Sequence, residues 1–381
     1  MFNFFGKPRV ITDVIRHRKV SWLELFYDLI FAVVIERITD SVIEHFSVVT
    51  ILNSVVIFGW FFWSWHETSG YFDNHGNDSA YNILMINLQM IFTGIAAIFI
   101  PHAMLGDFQS LIFALLPVQL LLTLNWLVIG HVDSNHGPAS KEYAHVFIGS
   151  FLVLLLSLMV NAPFKELLLV AALLVNLSAI FFVNSKLKQE YQAIKMNYEL
   201  KDSLLERYGL MTMIALGEMI AGLYGMVEKV EPLVLFEFAM GIVFAAMIGA
   251  VYYQVIGELH VQMKNPIQVM IIRWLFLLEI YLIIVDSILL QVVFAENKVI
   301  VKLVLVAILF FTLFVMRIIQ ILTSKQIPDG TVGTLFYVFE IGSLLLTTML
   351  PAFLMIGTID LILLIITIRY HFKITQKTDA N

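Results

Sequence analysis

Asp28 and Glu24 are the residues of this chain most suited to chemistry inside a membrane. They stand four residues apart in the apolar run "SWLELFYDLIFAVVIERI" (21–38). At 1.5 Å rise per residue Asp28 lies roughly 10 Å along a helix from Ser21, with Glu24 one turn away on the same face. Two carboxylates at that spacing repel, so burying both requires a cation, a bound proton or strong donors between them. Carboxylates at membrane depth are costly, usually face a bundle interior, and either pair or line a path. Asp28 is therefore expected to handle ions, with an ion pair to a neighbouring helix as the structural alternative.

Glu24 has a second explanation. Ser21 followed three residues later by Glu24 is a capping box, in which the two side chains satisfy free N–H groups at a helix start. Ser203 and Glu206 repeat the pattern. A shift of 182 residues lays "SWLELFYDLIFAVVIERI" on "SLLERYGLMTMIALGEMI" (203–220) without gaps, matching Ser21 to Ser203, Glu24 to Glu206 and Glu36 to Glu218. Glu36 and Glu218 fall near the far ends of their helices, as a solvated helix end or an acidic vestibule that concentrates cations. Glu36 continues into Asp40 and Glu44, whereas Glu218 has no such tail, so the two copies are not equivalent.

His66 and Asn87 are further candidates for the pathway. With Gln89, His102 and Asn125 they sit in or beside the second to fourth apolar segments, where hydrogen bonds between helices also account for them. Glu279 and Asp286 share one face of a later segment, with Arg273 one to two turns before them. Trp60, Trp63 and Trp65 fit an interfacial belt or helix packing. Phosphate-binding loops, dinucleotide fingerprints, HExxH and GxSxG are missing from the sequence, and the loop histidines in "NHGNDS" and "SNHGPAS" lack a metal-ligand spacing. No catalytic residue, metal, cofactor or nucleic-acid partner is expected. The chain has no cysteine, so thiol chemistry is excluded.

The elements that position these residues follow from composition. Of 381 residues 60% are hydrophobic and 14% charged, net charge −6, and the mean hydropathy is +0.89. Soluble domains are roughly 25% charged, so the solvent for most of this surface is lipid. The apolar runs are continuous and near twenty residues, which excludes β-barrel strands with their period of two and requires helices. The expected fold is all-α and polytopic, with twelve spans near 22–44, 49–70, 82–102, 108–130, 141–161, 163–184, 207–226, 232–256, 266–293, 298–321, 331–350 and 351–370. Ten spans remain compatible with the charge pattern.

The repeat divides the chain into a basic N-terminal segment (1–20), a first six-helix half (21–184), a basic linker (185–202), a second half (203–371) and a tail (372–381). An even number of spans between the copies makes the halves parallel. No cleaved signal peptide is expected. With both termini cytoplasmic, only Arg37, Lys165, Lys229, Lys298 and Lys302 of the 23 Lys and Arg fall on the outer side. The expected location is the bacterial cytoplasmic membrane, the lipid bilayer is the evident partner, and a monomer and a homodimer both fit.

The blocks "RKVSWLELFYDLIFAVVIERITD" (18–40), "WSWHETSGYFDN" (63–74) and "ERYGLMTMIALGEMI" (206–220) resemble the bacterial low temperature requirement A family. That resemblance implies a fold and a membrane location rather than a reaction. At Ser203 the family more often has His. More distantly, Phe26, Tyr27 and Asp28 are similar to the FSD motif on the first span of the lysosomal potassium channel family, with Tyr27 in place of Ser. Trp63, His66, Asn87 and Pro101 resemble later landmarks of that family's six-helix repeat. Tyr208, Gly209 and Leu210 lack the motif's Asp in the second copy. The channel likeness implies that the first span of each half lines the path, with Ile30 and Val34 as an apolar constriction. The functional expectation is an ion or solute pathway, a channel or ion-coupled permease between the halves. The alternative is a lipid-acting enzyme or a scaffold whose carboxylates are structural.

Overall fold

The computed structural model describes residues 6–13, 15, 18–227, 231–257, 259, 261–323 and 343–378. The helices are α1 (Trp22–Glu44), α2 (Val48–His75), α3 (Ala80–Ala97), α4 (Ile100–Met104), α5 (Gln109–Val132), α6 (Gly137–Ser157), α7 (Phe164–Ala193), α8 (Asp202–Gly225), α9 (Pro232–Ile256), α10 (Pro266–Glu296), α11 (Val299–Thr323) and α12 (Ala352–Thr378). A 3-10 turn covers Ser343–Met349, and two three-residue strands, β1 (Tyr198–Leu200) and β2 (Val261–Met263), lie in the linkers. Nine of the described helices are long and apolar enough to cross a membrane. The two long helices outside that set, α1 and α8, carry the two copies of the repeat. Most of the expected span 331–350, with Glu340, lies outside the described residues.

The ends of the helices are set by local chemistry. Ser21 caps α1, and the side chains of Ser21 and Glu24 each accept from the other's backbone N–H. Ser47 and Thr50 do the same at α2. Proline opens α9 and α10, where its missing N–H leaves no bond unmade. α8 begins at Asp202, so Ser203 lies inside the helix and the cap expected there is not formed. The Ser203 hydroxyl instead donates to the Asp73 carboxylate.

The chain forms two compact units. The first comprises Met1–Leu210 with Gln262–Arg273. In it α2 is the central helix, enclosed along nearly its whole second half from Ile57 to His75. Trp60, Trp63 and Trp65 are all buried, so they pack between helices rather than form an interfacial belt. α6 packs along α5 and α7, α3 on α1 and α5, and α1 on α2. Buried amides tie the bundle: Gln119 and Asn176 exchange hydrogen bonds at 3.0 and 2.9 Å, and Tyr81 donates to Asn125 at 3.0 Å. The N-terminal arm crosses the helix ends, with Arg9 donating to the carbonyls of Asp73 and Gly76 and Ile11 N–H to Asp133.

The second unit comprises Met211–Val261 with Trp274–Asn381. α9 packs along α12 and on α11, and the 3-10 turn rests on α11 and α12. Gly241 lets α9 approach Leu223, since a Cβ there would fall 2.5 Å from that side chain. Lys302 donates to the Leu350 carbonyl at 2.7 Å. Along the helices of both units large apolar side chains such as Leu29, Phe113, Leu152, Leu235 and Phe311 point outward, the surface that lipid covers.

Candidate functional site

Asp28 is fully enclosed in the first unit and fully bonded. The Arg207 guanidinium, one turn into α8, meets it in a fork: Nε donates at 3.0 Å to one oxygen and Nη2 to the other. Trp65 Nε1 adds a third donor at 2.6 Å. The Trp65 ring lies 5.7 Å from the guanidinium carbon, within reach of a cation–π contact. Arg207 Nη1 also reaches Glu24 at 3.3 Å, and Arg18 forks onto the two Glu24 oxygens at 2.9 and 2.8 Å. Two arginines thus neutralise two carboxylates, which resolves the repulsion implicit in the four-residue spacing. For Arg18, outside the spans, burial alone lowers the guanidinium. The bonds and charge of Glu24 outweigh burial and hold it above its ordinary value.

Asp73, near the end of α2, joins the lattice. It accepts from Ser203, with Lys201 Nζ at 3.8 Å and Arg18 Nε at 3.9 Å. Lys201 also donates to Asn74 at 2.8 Å. Burial lowers the Lys201 ammonium from its ordinary value, against the opposing pull of Asp73. The lattice therefore joins residues 18–28, 65–73 and 201–207 across α1, α2 and the start of α8.

Beside it lies a cavity of about 110 Å³, several times what one water needs. Its walls include Glu67, Asp73, Tyr143, Tyr191, Lys201 and Arg273, with Met196–Lys201 of the linker across it. Glu67 is buried, and its Oε1 has no hydrogen-bond partner among the described residues. His66 Nδ1 lies 3.3 Å from that oxygen without hydrogen-bond geometry. Arg273 Nη2 donates to the His66 carbonyl at 2.8 Å, while its Nε is buried without an acceptor. No carboxylate lies within 4.0 Å of Arg273 among the described residues. Gly70 provides the room: a Cβ there would fall 2.6 Å from Nη2. A small, half-open cavity with both charged and apolar walls can bind a solute or ordered water.

The sequence candidates divide accordingly. Asp28, Glu24 and Ser203 belong to the closed lattice. His66 is buried behind the cavity, stacked on Trp63 with ring centroids 5.1 Å apart. Asn87 is half-buried and donates to its own helix at Ile83. Glu36 and Glu206 are exposed on their helices, and Glu218, in the second unit, is half-buried. The same unit encloses Glu279 and Asp286, which accept from Thr212 at 3.2 Å and Thr312 at 2.6 Å. Sequence reasoning missed Glu67 because the expected span ended at residue 70. The helix runs on to His75 and encloses it. It also missed Arg207 as the partner of Asp28, a pairing that no local spacing reveals.

A family model for bacterial low temperature requirement A protein (LtrA) matches residues 19–368. The chain belongs to the LtrA family. Membership and the apolar helices together make it a multi-pass membrane protein. The blocks 18–40 and 63–74 and the first residues of the block 206–220 are the segments that meet in the first unit of this LtrA protein, as the Glu24–Asp28–Arg207 lattice. No curated protein and no solved structure matches the chain.

Proposed function

We propose that this LtrA protein is a pathway for a small ion or solute, a channel or ion-coupled permease, and that the cavity of the first unit is where the solute is held. The observation that carries the reading is the cavity of about 110 Å³ with the charged residues Glu67, Asp73, Lys201 and Arg273 on its walls. Charged groups at membrane depth are costly and usually face a bundle interior, where they pair or line a path. On the expected topology every wall of the cavity comes from the cytoplasmic end of a span or from the linker. The cavity is then a cytoplasmic vestibule. The same reading sets the protein in the bacterial cytoplasmic membrane with both termini inside. It has twelve spans in two parallel six-helix halves, and neither a metal nor a cofactor serves it.

The closed bonding of Asp28 and Glu24 supports a second reading, a non-transporting membrane protein whose carboxylates hold helices together. Purified protein in liposomes under potassium, sodium and proton gradients separates the two. Flux of any of these ions above that of empty liposomes supports the pathway. Folded protein that passes none of them, with or without added solute, leaves the structural reading.

A further inference from the structure

Resting on the reading of the protein as an ion pathway, we propose that the ion it carries is the proton, bound by Asp286 and Glu279 inside the second unit. Both residues stand on α10, seven positions apart and so roughly 10 Å along its axis. Both are fully buried, and each meets one threonine hydroxyl, Glu279 that of Thr212 at 3.2 Å and Asp286 that of Thr312 at 2.6 Å. The second oxygen of each carboxyl group is buried without a hydrogen-bond partner among the described residues. No Lys, Arg or His nitrogen among them lies within 4.0 Å of either group. An isolated ionised carboxylate is too costly to hold in such a place, and the group takes up a proton instead.

Thr312 carries the argument beyond burial. Its Oγ1 lies 2.6 Å from Asp286 Oδ2 and 3.1 Å from the Ile308 carbonyl, and a hydroxyl group has one hydrogen. With Asp286 ionised, both acceptors would compete for that hydrogen. With a proton on Oδ2, the acid donates to Thr312 Oγ1 and the hydroxyl donates to Ile308, so each contact has its own hydrogen.

The described cations of the unit are placed elsewhere. Lys298 pairs with Glu296, Lys302 donates to the Leu350 carbonyl, Arg317 donates to Gln320, and Arg369 is exposed. The other helices add further acids rather than a counter-ion: Glu218 on α8, Glu237 on α9 and Asp360 on α12. A metal cation would have to exchange its hydration shell for several oxygens, and the described residues gather no three acids or histidines that could hold one. A proton needs one oxygen and no cavity. Because both groups are enclosed, they exchange protons only with water admitted when the helices part, which links proton binding to opening of the pathway.

The test combines infrared spectroscopy of the purified full-length protein with flux in liposomes. A protonated carboxyl group has a carbonyl stretch that an ionised one lacks. At neutral pH this absorption is expected in the wild type, and Asp286→Asn and Glu279→Gln should each remove part of it. Both variants should fold, since an amide, like the neutral acid, presents one donor and one acceptor group. In liposomes a pH gradient should drive flux in the wild type, while potassium and sodium gradients alone should not, and each variant should lose at least tenfold in proton flux. The comparison of gradients uses the wild type alone, so it decides the matter even if a variant fails to fold. Potassium or sodium flux that ignores the pH gradient, unchanged proton flux in both variants, or no acid absorption removed by either overturns the proposal. Acid absorption lost in the variants without flux of any ion in the wild type removes the pathway and leaves the two proton sites. Potassium or sodium flux with no such absorption keeps the pathway and removes the sites.

Discussion

Asp28 and Glu67 are both carboxylates inside the same bundle, and their surroundings assign them opposite work. Asp28 receives three donors, two from Arg207 and one from Trp65, and nothing in its shell remains open. Removing one member of such a buried pair leaves the other charge uncompensated, at a cost of about 3–5 kcal/mol. Asp28→Asn and Arg207→Ala are therefore expected to lower the amount of folded protein in membranes and its resistance to denaturant. The double variant Asp28→Asn with Arg207→Ala should cost less than the two single changes added, because each removes the charge the other strands. Strict additivity in denaturation would contradict the pairing. Glu67 has no hydrogen-bond donor on Oε1, so its substitution by Gln breaks no bond at that oxygen.

At the scale of elements, the repeat is expressed differently in its two copies. In α1 the serine caps the helix, and in α8 the corresponding serine bonds to another helix. Ser21→Ala should cost about 1 kcal/mol, the usual value for a lost cap. Ser203→Ala should cost about 1.5–3 kcal/mol, as expected for a hydrogen bond to a buried carboxylate. Urea denaturation of the two variants checks the order. The helices themselves were legible in the sequence because continuous apolar runs leave no other structure open in lipid. α1 and α9 match their expected spans residue for residue. The partners were not legible, since periodicity describes one helix at a time. Arg207 reaches Asp28 from 179 residues away, and only the assembled bundle brings them together. Glu67 was hidden for a simpler reason: it lies three residues from the expected end of its span at 70, whereas α2 continues to His75 and buries it.

At the scale of the whole molecule, the family and the nine apolar helices among the described residues define a multi-pass membrane protein, and sidedness is the property that connects its cavity to the proposed transport. The chain has no cysteine, so single cysteines report their side without background. Asn135 lies in the exposed loop after α5 and Asn161 in the exposed loop after α6. On the proposed topology Asn135→Cys reacts with an impermeant maleimide only after the cytoplasmic side is opened, while Asn161→Cys reacts in intact cells. Labelling of both from one side would remove the topology that makes the cavity a cytoplasmic vestibule.

The most direct test of the division between a structural lattice and a working cavity is flux per folded molecule in liposomes, compared for wild type, Glu67→Gln and Asp28→Asn. Glu67→Gln should reach wild-type abundance and lose at least tenfold in flux per molecule. Asp28→Asn should be scarce, while the molecules that do fold keep flux near wild type. Full flux in Glu67→Gln, or abundant Asp28→Asn protein that no longer conducts, would contradict the account and return the pathway to α1.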